Sequence, residues 1–120
     1  MRYLAIDKEP YALFYAIFDD KTLSDYGMIS FLRKDENDRV NEIWNKVAML
    51  LDRTQPTFVI THLLDLRYTP KKKFEKMVEI KTILRKMCLD RNIIYHEFRT
   101  YGWEKRITHM KKPSPKAKLD

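Results

Sequence analysis

Three groups of residues in this 120-residue chain have types and spacing that could do chemistry. The first is cationic and aromatic. Arg67, Lys71, Lys72, Lys73 and Lys76 crowd one segment; Arg99, Lys105, Arg106, Lys111 and Lys112 crowd another, with Tyr68, Tyr101 and Trp103 interleaved. Cations at this density hold phosphates through salt-sensitive contacts that do not depend on base sequence, and rings among them can stack on unpaired bases. The plainer alternative is a solvated basic helix face. The second is Asp7, which closes the apolar run Tyr3-Leu4-Ala5-Ile6. An acid at a strand end is rigidly placed, as a cation site requires. On spacing alone, the ordinary role of accepting hydrogen bonds from the next turn is favoured. The third is His62, His96 and His109, which lack the tight spacing and the Cys or Glu partners of zinc sites. His62 as a ligand would favour Mn²⁺ or Zn²⁺ over Mg²⁺, although a polar strand-end residue is the simpler reading.

The remaining chemistry is thin. Cys88 is the only cysteine, so no intramolecular disulfide and no cysteine-rich zinc site can form. It falls in an apolar helix stripe and reads as core. Two glycines are too few for a phosphate-cradling loop, and Ser24, Ser30 and Ser114 sit in no nucleophile setting. The chain is 44% hydrophobic, enough for one packed domain that needs no disulfide or metal to hold it. No apolar run approaches a membrane span, and the first ten residues are not a secretory signal. A lone cysteine suits a reducing compartment, so the expected location is cytoplasmic. Charge is uneven: residues 1–60 hold 8 Lys+Arg and 10 Asp+Glu, residues 61–120 hold 16 and 7. A net charge of +7 with the excess in one half suits a polyanionic partner.

The elements that must position these residues follow from patterning. Residues 3–7 read as a strand buried on both faces, and 11–31 as a hairpin turning at Asp19-Asp20-Lys21. Asn37 or Asp38 is expected to cap a helix over 39–53, whose apolar stripe is Val40, Ile43, Trp44, Val47, Leu50 and Leu51. Residues 57–64 read as a buried strand. Thr69 is the expected cap, and Pro70 the first residue, of a helix running to 90. Five lysines in its first half oppose the helix dipole, so helix stability does not explain their placement. Asn92 is a left-handed cap, 93–98 a fifth strand, and 104–120 a basic, mobile tail beyond a single domain over 1–103. The order β-β-β-α-β-α-β implies an α/β fold, a mixed five-stranded sheet flanked by helices.

Ala5-Ile6-Asp7, Tyr15-Ala16-Ile17-Phe18 and Leu23-Ser24-Asp25-Tyr26-Gly27-Met28-Ile29, in that order, resemble the opening of the RuvC-like Holliday junction resolvases, within the ribonuclease H-like superfamily. Phe74 to Asn92 with Ile93-Ile94-Tyr95 resembles that family's connecting helix and next strand, and Tyr101-Gly102-Trp103-Glu104-Lys105-Arg106 its tryptophan-basic segment. The resemblance implies a ribonuclease H-like fold and Mg²⁺- or Mn²⁺-dependent phosphodiester hydrolysis. In that chemistry converging carboxylates hold two ions about 4 Å apart. It also implies that Asp7 stands in the place of the family's first carboxylate and metal ligand.

Departures from the pattern change what is expected. The family's fourth-strand Glu is matched here by Thr61-His62, neither of them a carboxylate. Asp65 substitutes only if the strand end curls back. The chain stops at Asp120, before the helix that carries the family's last acids. Lys8 follows Asp7 and is placed to occupy a metal position as a fixed ammonium. One secure carboxylate cannot hold two Mg²⁺ ions, so Asp65, Asp120 and Glu9 are the remaining candidates to complete a catalytic set. The implied function is binding of branched or duplex DNA, with cleavage lost or weak, on the basic residues Arg67, Lys71, Lys72, Lys73, Lys76, Arg99, Lys105 and Arg106 together with Trp103. The rival reading is a non-catalytic protein-interaction or inhibitor module. A homodimer or another protein is an expected partner, and the shortened fold suggests a phage or mobile-element origin.

Overall fold

The computed structural model of the chain describes residues 1–64 and 69–98. Asp65, Arg67 and Tyr68 lie outside the described residues, as do Arg99, Tyr101, Trp103, Lys105, Arg106, Asp120 and the whole 104–120 tail. Seven elements follow in the expected order: β1 (Arg2–Glu9), β2 (Ala12–Asp19), β3 (Thr22–Ser30), α1 (Glu36–Thr54), β4 (Phe58–His62), α2 (Lys71–Asp90) and β5 (Ile94–Phe98). The turn between β2 and β3 rests on Asp20 at φ 55°, a left-handed geometry that Asp tolerates better than most residues. Gln55, at φ 45°, ends α1 just before Pro56, and Asn92, at φ 56°, follows α2 as its sequence position suggested.

The five strands form one mixed sheet in the order β3-β2-β1-β4-β5. The β1–β2 and β2–β3 pairs are antiparallel; β1–β4 and β4–β5 are parallel. Each parallel neighbour is reached through a helix, as parallel pairing requires. Alternation along the strands separates two faces. Leu4, Ile6, Leu13, Ile17 and Val59 point to one face and are buried against Ile43, Val47, Leu50 and Leu51 of α1 and Ile80, Leu84, Met87 and Cys88 of α2. The opposite face carries Tyr3, Ala5, Phe14, Ala16, Phe18, Tyr26, Met28, Phe58, Ile60 and Ile94. Phe14, Tyr26, Met28 and Ile94 there are well exposed. β1 is therefore not buried on both faces: Leu4, Ile6 and Lys8 are enclosed, while Asp7 and Glu9 face solvent. Burial of Cys88 pushes its thiol up to about 12, which leaves it an inert core group. Among the described residues no helix is long and apolar enough to cross a membrane.

Both helices differ in detail from expectation. α1 begins three residues earlier than its stripe indicates, because the Asp35 carboxylate accepts from the Asp38 N–H at 3.2 Å, and Glu36 and Asp38 complement the dipole. Val40 and Trp44 stay 37% and 43% exposed; the buried position one residue before Val40 is taken by Arg39. Pro70, not Thr69, is the cap residue of α2, and among the described residues no side chain caps its first turn.

Gly27 shows how tightly the helix-side face is filled. It pairs with Tyr15, and a Cβ at Gly27 would lie 2.6 Å from the Tyr15 hydroxyl. That hydroxyl accepts a hydrogen bond from Arg53 of α1 at 3.0 Å. Gly27→Ala displaces the ring and breaks this bond, so a loss of about 1–3 kcal/mol in urea unfolding is expected. An unchanged midpoint would show that Tyr15 moves freely.

Candidate nucleic-acid interface

The topology brings one end of the sheet together with the starts of both helices. β1, β4 and β5 run parallel, and α2 returns over the sheet to connect β4 to β5, so its first turn lies beyond the carboxyl end of β4. This is the end at which open α/β sheets bind ligands. The β1–β4 ladder closes at Ile6 with Thr61. The next residues on each strand, Asp7 and His62, therefore meet on the face away from the helices. Asp7 Oδ1 is 3.4 Å from His62 Nε2, with the side chains 54% and 31% exposed.

Lys8 points the other way, into the helix-side face, and is 1% exposed. Its ammonium donates to Thr61 Oγ1 at 2.7 Å and to the His62 carbonyl at 3.2 Å. It ties the exit of β4 to β1 and so fixes the backbone that presents His62. Strand alternation thus overturns the expectation that Lys8 stands in a metal position beside Asp7. Burial lowers the Lys8 pKa to about 8; Glu97 and Asp7 oppose the shift and Lys81 reinforces it. Glu97 forms an ion pair with Lys81 at 3.2 Å.

This donor set does not fit two Mg²⁺ ions. Mg²⁺ takes oxygen ligands, and the group facing Asp7 is an imidazole. Among the described residues no three His, Cys, Asp or Glu side chains converge as a metal site. Of the other acids considered as completing the set, Glu9 lies two residues beyond Asp7 at the exposed end of β1 and joins no such group, while Asp65 and Asp120 lie outside the described residues.

The basic half of the site is clearer. Lys71, Lys72 and Lys73 form the exposed first turn of α2, which contains no acidic residue and, among the described residues, has no side-chain cap. Three ammonium groups at the positive end of a twenty-residue helix cost that helix stability and make a ready receptor for an anion. Lys76 lies one turn further on, its ammonium 5.6 Å from the centre of the Tyr11 ring. The Arg39 guanidinium is 5.5 Å from the same ring. Arg39 is 1% exposed and donates through Nη2 to the carbonyls of Pro10, at 2.8 Å, and Lys76, at 3.1 Å. It clamps the β1–β2 turn to both helices, which positions Lys76 and the start of α2.

The structure therefore brings Asp7 together with His62, and Lys76 with Tyr11 and Arg39. It places Lys71, Lys72 and Lys73 on the helix start at the same end of the sheet. Arg39 was missed in the sequence, although its spacing of four and eight residues from Ile43 and Val47 is that of a stripe position. Lys8 carried no comparable signal, because nothing local distinguishes a buried lysine at a strand end from a solvated one.

Solved structures share this fold at low identity. RuvC of T. thermophilus in complex with a Holliday junction substrate is 14% identical, with a TM-score of 0.72 over 84% of this chain and 66% of that one. A second structure of Thermus thermophilus RuvC is 14% identical, with a TM-score of 0.66 over 82% of this chain and 64% of that one. The yeast mitochondrial Holliday junction resolvase is 9% identical, with a TM-score of 0.54 over 89% of this chain and 57% of that one. This chain thus spans less than two thirds of the length of each. No family model and no curated protein matches the sequence. The chain has a RuvC-like, ribonuclease H-like fold.

Proposed function

We propose that this RuvC-like fold binds branched DNA through the lysine-rich start of α2, with phosphodiester cleavage lost or weak. One observation carries the reading. Lys71, Lys72 and Lys73 occupy a helix N-terminus at the strand-exit end of the sheet, where they oppose the helix dipole and, among the described residues, share the first turn with no acid and no side-chain cap. A phosphate backbone supplies the missing negative charge. Arg67, Arg99, Lys105 and Arg106 extend the same basic character along the chain. Support for a branched substrate comes from the shared fold, since one neighbour is a resolvase in complex with a Holliday junction. Asp7 and His62 meet at the same end of the sheet. They form one acid–imidazole pair rather than a carboxylate cage, and this is why binding is placed before cleavage.

Replacing Lys71, Lys72 and Lys73 together by glutamine tests the assignment. Each lysine that neutralises a phosphate contributes to the salt dependence, so the slope of log affinity against log salt should fall by about 2–3. Thermal stability should hold or rise, because three unfavourable charges leave the helix start. Loss of both affinity and stability would show that the lysines serve the fold.

A second reading, a protein-interaction module, is favoured by the open apolar sheet face. A partner docking there would cover Phe14, Tyr26 and Met28 without touching the lysines of α2.

A further inference from the structure

Phosphate contacts alone do not tell a branched DNA from a plain duplex, because both present the same charged backbone. The lysines at the start of α2 therefore supply affinity and leave the preference for a branch to another group. What a branch point offers, and a continuous duplex lacks, is a base whose stacking is interrupted, with a π-face open to a ring. A reader of that face must be aromatic, exposed, held in one orientation, and close to cations that track the backbone.

Among the described residues Tyr11 meets all four conditions. It is the second residue of the two-residue β1–β2 turn, at the strand-exit end of the sheet, and is 52% exposed. Pro10 fixes the backbone just ahead of it, and its own carbonyl accepts from the Phe31 N–H at 2.7 Å. The Arg39 guanidinium lies 5.5 Å, and the Lys76 ammonium 5.6 Å, from the centre of its ring. Arg39 is itself fixed, since its Nη2 bonds the Pro10 and Lys76 carbonyls. Contact with Arg39 uses only part of the ring, and about half of the residue stays in solvent. The other exposed rings each fail a condition. Phe14 and Tyr26 lie on the sheet face that carries Asp7 and Glu9 and, among the described strand residues, no Lys or Arg. Trp44 lies eight residues into α1, about 12 Å along the helix from its start.

We propose that Tyr11 stacks on an unstacked nucleobase at the branch point, while Lys72 and Lys76, four residues apart on one face of α2, hold the phosphates beside it. This role rests on the reading of this end of the sheet as a DNA surface, and it adds the group that selects the DNA structure. The sequence drew attention to the rings of Tyr68, Tyr101 and Trp103. Tyr11 escaped it because its two cations, Arg39 and Lys76, lie far away in the chain.

The test compares the full chain with Tyr11→Phe and Tyr11→Leu on labelled four-way junction and matched duplex at one salt concentration. Phenylalanine keeps the ring; leucine keeps apolar cover over Arg39 without a π-face. The ratio of junction to duplex affinity should hold in Tyr11→Phe and fall about tenfold in Tyr11→Leu, with thermal melting showing that both variants fold. In parallel, a junction carrying 5-iododeoxyuridine at the branch point, irradiated in complex with the native chain, should crosslink to Tyr11, as read by mass spectrometry of the peptides. Should leucine unfold the chain, the crosslink on the native protein decides alone. A ratio that survives Tyr11→Leu, or a crosslink that forms only elsewhere, would overturn the role of Tyr11 and leave the DNA-binding reading standing. A native chain that binds junction and duplex equally, or binds neither, would overturn that reading and the role of Tyr11 with it.

Discussion

Arg39→Ala is expected to destabilise the fold by about 3–5 kcal/mol, the largest effect of any single substitution considered. The guanidinium is enclosed and joins three elements. It bonds the Pro10 carbonyl of the β1–β2 turn and the Lys76 carbonyl of α2, and it faces Glu79 at 3.6 Å, all from a position on α1. Alanine leaves a cavity and two carbonyls without their donor, and each such loss adds to the cost. Arg39→Met keeps most of the volume and also removes Nε and Nη1, which have no hydrogen-bond partner, so it should cost clearly less than alanine. Urea unfolding of both variants measures this. An alanine cost below about 1 kcal/mol would show that Arg39 is not a clamp. The consequence for function is positional: as the clamp loosens, Lys76 and the first turn of α2 lose their fixed place beside the β1–β2 turn.

The second large effect is a pH dependence of unusual sign. Lys8 is protonated in the unfolded chain up to about 10.5, but in the folded chain only up to about 8. Between those values the unfolded state binds more protons, so stability rises with pH through that window. The full amplitude is about 3 kcal/mol, absent below about 8 and complete above about 10.5. Lys8→Met removes this component. At pH 7 the variant should be as stable as the parent or more so, because a buried ammonium is replaced by an apolar chain of similar length. Near pH 11 it should be the less stable of the two, since the Thr61 hydroxyl and His62 carbonyl then lack a donor that the neutral amine still provides. The measurement is the difference in unfolding free energy between parent and variant from pH 7 to 11. A difference that stays constant would contradict a buried, shifted Lys8.

How much of this was legible in the sequence depends on what each residue answers to. Strand and helix order, the left-handed Asn92 and the burial of Cys88 follow from local propensity and periodicity, which act over a few neighbours. The helix-side core of α1 was legible at Ile43, Val47, Leu50 and Leu51 for the same reason. Arg39 displaced Val40 and Trp44 from that stripe because a guanidinium can be buried when distant carbonyls receive it, and the Pro10 and Lys76 carbonyls lie far away in sequence. Lys8 was misplaced because facing depends on strand alternation and on Thr61, 53 residues away, which offers the hydroxyl it bonds. Asp7 was recognisable as a strand-end acid. Its meeting with His62 depends on the register between β1 and β4, which a single sequence does not display. The lysines of α2 were legible throughout, since their conflict with the helix dipole is a local fact.

The central claim is that the fold is retained for holding branched DNA on a basic surface rather than for cutting it with paired metal ions. One incubation tests this most directly: labelled four-way junction and matched duplex with the full chain, with and without Mg²⁺ or Mn²⁺, read for mobility shift and for cleavage. The account predicts a salt-sensitive, metal-independent shift that favours the junction, with little or no cleavage. Efficient metal-dependent cuts near the crossover that vanish in Asp7→Asn would contradict it, and so would equal affinity for junction and duplex at every salt concentration.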